Sequence, residues 1–223
     1  MNVTGLYRNR FPSSVLTKKQ RVWNTLCKFF FSRFIETSDT VLDLGAGYCE
    51  FINNIQAQKK IAFDSNPDIH SFAAKDVEVI NQDISQINDS FPPKSIDKVF
   101  ISNFLEHLSS REDIEKLFHN LHIILADSGN LIILQPNIRY VKHAYWDFFD
   151  HKIPLTEKSL TELCLLCGFE IALCIKKFLP YTFKSAPTTH PVLVWLYIRL
   201  MPVSNFLFGK QTLLIAKKAP HVN

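Results

Sequence analysis

The stretch Val41–Phe51, VLDLGAGYCEF, constrains the chain more than any other. A short apolar run ends on Leu44 and breaks into Gly45-Ala46-Gly47, after which helical character resumes at Glu50–Ile55. An apolar run that stops on glycine and re-enters as a helix is a strand-to-helix crossover, and such crossovers build parallel sheets. The glycines let the backbone turn sharply and let a ligand approach where a Cβ would stand in the way. The first turn of the following helix adds free N–H groups and a positive dipole end. A Gly-x-Gly pair alone says only that a nucleotide-like ligand is a candidate.

The rest of the chain repeats the rhythm. Apolar residues at helical spacing (Val22, Leu26, Phe29, Phe30, Phe34) predict an amphipathic helix over Lys18–Ile35, after an irregular start over residues 1–14. Strands are predicted at Thr40–Leu44, Lys60–Phe63, Val77–Ile80, Ser95–Ser102 and Asn130–Gln135, with a helix at Arg111–Leu125. This order implies an α/β fold: a doubly wound, Rossmann-like sheet with helices on both faces. In the tail, Thr156 caps a helix that Gly168 ends, and Phe169–Phe178 and Gln211–Lys217 read as the last strands. At 223 residues the chain suits a single domain over 1–223, with a basic N-terminal arm at 1–38 and an insertion at 179–210 that serves as lid, dimer contact or membrane-surface element.

Three acids give the glycine loop its context. Asp43 stands in it, Asp64 closes the second strand, followed by Ser65, and Asp83 follows the third. Acids at successive strand ends converge on the rim where doubly wound sheets bind ligands. Asp64 is placed to hydrogen-bond ribose hydroxyls and Asp83 to accept from an adenine amino group. Each acid by itself could equally cap a turn. Glu50 occupies the third position of a Gly-x-Gly-x-x-Gly pattern, and a carboxylate there repels pyrophosphate, which argues against a nicotinamide dinucleotide. No Gly-x-x-x-x-Gly-Lys-[Ser/Thr] run is present, so a P-loop is excluded.

VLDLGAGYCEF, IAFD, NQDI, DKVFISNFLEHL and GNLIILQPN, in this order and spacing, resemble the class I S-adenosylmethionine-dependent methyltransferases over about Val41 to Lys217. The resemblance implies a seven-stranded sheet, mostly parallel, whose last strand is antiparallel. It implies that Asp43, Gly45, Ala46 and Gly47 hold the methionine part of S-adenosyl-L-methionine, that Asp64 and Ser65 hold the ribose, that Asp83 and Ile84 meet the adenine, and that Asn103, with Glu106 and His107 near it, lines cofactor and substrate. Cys49 stands where many members carry a third glycine. The string YWDFFDHKIPLTEKSL with GFEI and FLPYTFKS further resembles a bacterial subgroup associated with glycan and lipid-linked sugar pathways.

Some O-methyltransferases bind a metal through a Glu-x-x-Glu-His cluster. Asn103 takes the place of the first glutamate here and no third ligand follows at helical spacing, so no metal is expected. His107 is expected to start a helix near the pocket. After the fifth strand, Asn137 and the cluster Tyr145, Trp146, Asp150, His151 are the substrate-binding candidates, with His151 and His107 the candidate bases. The rival reading of this cluster is an apolar loop packed on the core. The expected chemistry is in-line transfer of a methyl group to an oxygen or nitrogen of a small molecule or a glycan. The alternatives are a non-catalytic or membrane-associated cofactor-binding module and an NAD-dependent oxidoreductase.

Charge and cysteines bound the setting. The first 35 residues carry seven cations (Arg8 and Arg10 first among them) and no acid before Glu36, so the remainder of this +4 chain is net acidic. A basic arm suits an anionic substrate, a phospholipid surface or nucleic acid, or is a solvated helix face. Nucleic acid is disfavoured because SNFLEH replaces the [Asp/Asn]-Pro-Pro-[Tyr/Phe] segment that presents a flipped base. Five cysteines, an odd number, without a signal peptide fit reduced thiols in the cytoplasm, and Cys164 and Cys167 fall in an apolar helical pattern that suits core packing. PVLVWLYIRLMP, at 191–202, reads first as a core helix or a substrate lid; it is too short to span a bilayer but could lie on the inner membrane surface or form a homodimer contact.

Overall fold

The computed structural model describes residues 13–182 and 189–219. Most of the predicted irregular start, Arg8 and Arg10 among it, lies outside the described residues. Seven strands form one sheet: β1 Thr40–Leu44, β2 Lys59–Phe63, β3 Val77–Ile80, β4 Ile96–Ser102, β5 Leu125–Pro136, β6 Phe169–Ile175 and β7 Gln211–Lys218. Their order is β3-β2-β1-β4-β5-β7-β6. β1 to β5 run parallel, and β7 runs antiparallel to both β5 and β6. The longer helices are α1 Ser13–Phe29, α2 Arg111–Ile124, α3 Glu157–Leu166, α4 Pro191–Arg199 and α5 Val203–Phe208. From β1 the chain steps outward to β3, then returns to β4 on the other side. The crevice at the ends of β1 and β4 is therefore the topological switch point.

The period-two alternation of the strands fills both faces. Leu42, Leu44, Val99, Ile101, Leu131 and Ile133 point into one core, where they meet Ile114, Phe118 and Leu121 of α2. Val41, Phe100, Ile132 and Leu134 point the other way and meet Val22, Trp23 and Leu26 of α1. Aromatic contacts dominate this second core. Phe51 stacks on Phe100 at 3.6 Å between ring centroids, and Trp23 and Phe31 meet Phe100 edge-on at 5.9 and 5.4 Å. Each such pair adds roughly 0.5–1.5 kcal/mol beyond the area it buries.

The helix expected over Glu50–Ile55 is only a 3-10 turn, Ile52–Asn54. Cys49 sits at φ +58°, and a left-handed residue there breaks the ladder a helix would continue. No helix dipole therefore stands behind the glycine loop. α1 likewise starts earlier than predicted and stops at Phe29, ahead of a 3-10 turn at Phe31–Arg33. His107 ends a 3-10 turn, Leu105–His107, instead of starting a helix; α2 begins at Arg111, capped by Ser110.

The tail follows its caps. Thr156 and Ser159 form a reciprocal capping box on α3, and Gly168 leaves the helix at φ +81°. Cys164 and Cys167 are buried free thiols of the core, with the Cys167 sulfur facing Glu115 and His119 of α2. The insertion is pinched at its base, where the Leu179 carbonyl accepts from the Lys210 and Gln211 N–H groups at 2.7 and 2.9 Å. Within it stand α4 and α5, and α1 packs along α4.

Candidate active site

A cavity of about 710 Å³ opens at the switch point. The glycine loop forms its floor. The N–H groups of Gly45 and Ala46 donate to the Phe63 carbonyl at the end of β2, fixing the loop to the sheet. Gly45 has φ +71°, and a Cβ there would sit 2.5 Å from the Phe104 ring. Glycine is thus required by conformation and by a neighbouring side chain together.

The three acids all line the cavity, in different states. Asp64 accepts from the Gly47 N–H and the Asn66 N–H, both at 2.8 Å, so it clamps the loop as well as facing the cavity. Burial raises its carboxyl, and these hydrogen bonds oppose the rise. Asp43 is buried, and burial followed by the Glu50 carboxylate pushes its pKa well above the ordinary carboxylate value. Glu50 is itself paired with Lys19 of α1 at 2.7 Å, so the charge thought to repel pyrophosphate is compensated. Asp83 accepts from the N–H and hydroxyl of Ser85 at 2.9 and 2.7 Å, which lowers its pKa. It caps a turn and lines the cavity at once. Ala46, Ser65, Ile84 and Asn103 complete this rim. Asn103 adopts φ +50°, held by its N–H to the Leu134 carbonyl at 2.9 Å.

A second cluster shares the cavity. Glu106 is fully buried; Gln135 donates to its Oε2 at 2.8 Å, and Nε2 of His151 stands 4.0 Å from its Oε1. Burial raises the Glu106 pKa, with partial relief from His107 and Gln135. Nδ1 of His107 lies 3.1 Å from the Asp150 carbonyl oxygen and 3.3 Å from Asp150 Oδ2. The His151 ring stacks on Phe148 at 4.9 Å and meets the His107 ring edge-on at 5.1 Å. The N–H groups of Lys152 and Ile153 donate to the Glu106 carbonyl, which ties the loop after β5 to the turn after β4.

Donor atoms of Glu106, His107 and His151 lie within 4.8 Å of one another. The expectation of no metal rested on spacing along one helix, and here a separate loop brings the third group.

Three substrate candidates do not reach the cavity wall. Asn137 is buried under the antiparallel edge, donating to Glu157 and Thr212 at 2.7 and 2.9 Å. Tyr145 is buried, its hydroxyl donating to the Ile153 carbonyl at 2.5 Å and its ring 4.6 Å from that of His151. It positions the histidine. Trp146 is 56% exposed and rests edge-on against Tyr145. Sequence reasoning took the whole aromatic string as one cluster, but consecutive residues of a tight turn point in different directions. It also missed the wall contributed by α1 (Val15, Lys19, Val22) and by Tyr181 and Tyr197. The apolar spacing of α1 signalled burial without saying against what.

The sheet order, with the glycine loop at the switch point and acids at successive strand ends, is that of a Rossmann-like nucleotide-binding fold. A family profile described as a methyltransferase domain matches residues 16–173, and the chain belongs to that family. No curated protein sequence matches it. Its fold is similar to that of a SAM-dependent methyltransferase from Archaeoglobus fulgidus, with TM-score 0.67 and 23% identity over 97% of this chain and 100% of that one. It is similar also to an S-adenosylmethionine-dependent methyltransferase from Mesorhizobium loti, with TM-score 0.59 and 15% identity over 81% and 91% of the two chains. A third likeness is to a mitomycin 7-O-methyltransferase, with TM-score 0.60 and 12% identity over 92% of this chain and 55% of that one.

Proposed function

We propose that this methyltransferase moves a methyl group from S-adenosyl-L-methionine to an oxygen of a small-molecule or glycan acceptor. The donor set fits that cofactor. Asp43 is a buried and Asp64 a half-buried carboxyl on the cavity wall, both with pKa values raised by desolvation, and a cationic ligand beside Asp43 relieves that cost. Asp43 and the Gly45–Gly47 loop would hold the methionine part, Asp64 and Ser65 the ribose, and Asp83 and Ile84 the adenine, with Asn103 beside them. When bound, the cofactor supplies an already electrophilic methyl group.

The observation that carries the oxygen reading is the His107–Asp150 pair. A carbonyl oxygen only accepts, so the 3.1 Å contact makes Nδ1 of His107 the protonated nitrogen. In its neutral form such a ring carries its lone pair on Nε2, which could take a hydroxyl proton as the acceptor oxygen attacks. His151, fixed by Glu106, Tyr145 and Phe148, backs this ring. Alignment and exclusion of water supply the remainder. The basic arm over 1–38 and the 179–210 insertion are elaborations around one catalytic domain.

The test is His107→Ala and His151→Ala with a tritiated-methyl donor over sugars, lipid-linked glycans and phenols. A general base of this kind contributes about 10²–10⁴-fold. His107→Ala is expected to lose turnover on that scale while binding S-adenosylmethionine as the parent does. Unchanged turnover on the true acceptor overturns the base assignment. The donor atoms of Glu106, His107 and His151 favour a second reading, in which a divalent cation activates the acceptor. Loss of activity on chelation, restored by a divalent metal, would select it. For the partner of the insertion, a bilayer surface and a second copy of the chain are the two readings.

A further inference from the structure

Acidic residues are absent from both ends of the sequence: none precedes Glu36 and none follows Glu170. α1 comes from the first of these stretches and α4 and α5 from the second. α1 packs along α4, so helices from the two acid-free stretches lie against one another.

The face that α4 and α5 turn outward is inside-out for a water-facing surface. On α5 the polar Ser204 and Asn205 are buried, whereas Phe206 and Leu207 are 72% and 62% exposed. On α4 the polar end of Tyr197 turns inward to the Phe178 carbonyl at 2.7 Å, and Leu193, Trp195 and Leu196 face out. The Ser204 hydroxyl donates to the Tyr197 carbonyl at 2.6 Å, locking the two helices in this orientation. Water-facing helices expose their polar stripe and bury the apolar one. Exposed Lys28, Arg199 and Lys210 lie on the same elements or at their ends. Exposed apolar side chains gathered on two adjoining helices mark an interaction surface.

Charge selects the occupant. In a symmetric dimer through this face, each copy would set its cations against those of its partner with no acid from either acid-free stretch to pair them. An anionic lipid surface pairs the exposed Lys28, Arg199 and Lys210 and takes up the apolar side chains below the headgroups. The helices suit that depth: α4 has nine residues, and among the described residues no helix is long and apolar enough to cross a membrane. We propose that α4 and α5, flanked by α1, dock this protein on an anionic phospholipid bilayer. Val194 and Tyr197 of α4 line the cavity, so docking sets the cavity wall beside the lipid. The proposal stands whichever acceptor is methylated.

The test is co-sedimentation of the full chain with vesicles of phosphatidylcholine alone and of phosphatidylcholine containing about one-quarter phosphatidylglycerol. Sedimentation with the anionic vesicles only, weakening as salt rises, is the expected result. Phe206→Ser with Leu207→Ser should lower the apparent vesicle affinity at least about tenfold. Ile123→Ser, an exposed apolar residue on α2, should not. Both variants should keep the parent's affinity for S-adenosylmethionine in calorimetry, which separates failure of docking from failure of the methyltransferase site. No binding to anionic vesicles overturns the proposal. So does a parent dimer in light scattering that the Phe206/Leu207 variant converts to monomer.

Discussion

Cys49 carries a side chain at φ +58°, a conformation that costs a non-glycine residue about 1 kcal/mol. It is also fully buried in the aromatic core beneath the loop, with a thiol that burial pushes far up. Replacing it by glycine relieves the backbone but removes a packed sulfur and frees the unfolded chain. The terms oppose each other, so Cys49→Gly should change stability by no more than about 1 kcal/mol. Cys49→Val adds a β-branched side chain at the same φ and should cost about 2 kcal/mol or more. Urea unfolding of the two variants checks the difference; equal costs would mean that packing, and not the backbone, sets what this position accepts. The residue was visible in the sequence as a missing third glycine. Its consequence, the loss of the following helix, was not, because a left-handed φ at a cysteine has no sequence signal.

At the scale of elements, α1 is bound by one side chain above the rest. Trp23 touches Phe31, Phe51 and Phe100, from α1's own trailing turn, the glycine-loop turn and β4. Truncation to alanine opens a cavity where three elements meet, and Trp23→Ala should cost about 3–5 kcal/mol. Trp23 also lines the active-site cavity, so the same variant should weaken cofactor binding, readable by calorimetry on the folded fraction. A loss of stability with cofactor affinity intact would show that α1 does not shape the site. Strands β1 to β5 were legible in the sequence because period-two apolar runs bounded by glycine and acids have few alternative folds. The contact of Glu106 with His151 was not, since it depends on a loop closure that no local periodicity records. The same limit hid α1 as a cavity wall. Helical spacing shows which face is buried, and only the tertiary packing shows that part of the buried face is left for a ligand.

For the whole molecule, the distribution of charge sets cofactor-free stability against function. Asp43, Asp64 and Glu106 all have raised pKa values with burial as the largest cause. A carboxyl raised in the folded state contributes stability that is full below its unfolded pKa, about 4, and is lost as pH rises through its folded value. At neutral pH Asp43 therefore works against the cofactor-free fold. Asp43→Asn keeps the shape without the charge. It should match the parent near pH 4 and exceed it increasingly at higher pH, by about 1 kcal/mol or more at neutrality. S-adenosylmethionine should reverse the order. A ligand at a hundredfold excess over its Kd stabilises the fold by about 2.7 kcal/mol, and at that same concentration the asparagine variant, lacking the anion proposed to meet the ligand's cations, should gain less. Urea unfolding across pH, with and without cofactor, reads both effects. Parallel pH curves for parent and variant would remove Asp43 as a strained carboxyl. Equal stabilisation by cofactor would remove it from the binding site. Where Asp43 holds the cofactor as proposed, a residue that costs stability in the empty state couples folding to cofactor binding, and the buried carboxyl on β1 is where that coupling would be measured.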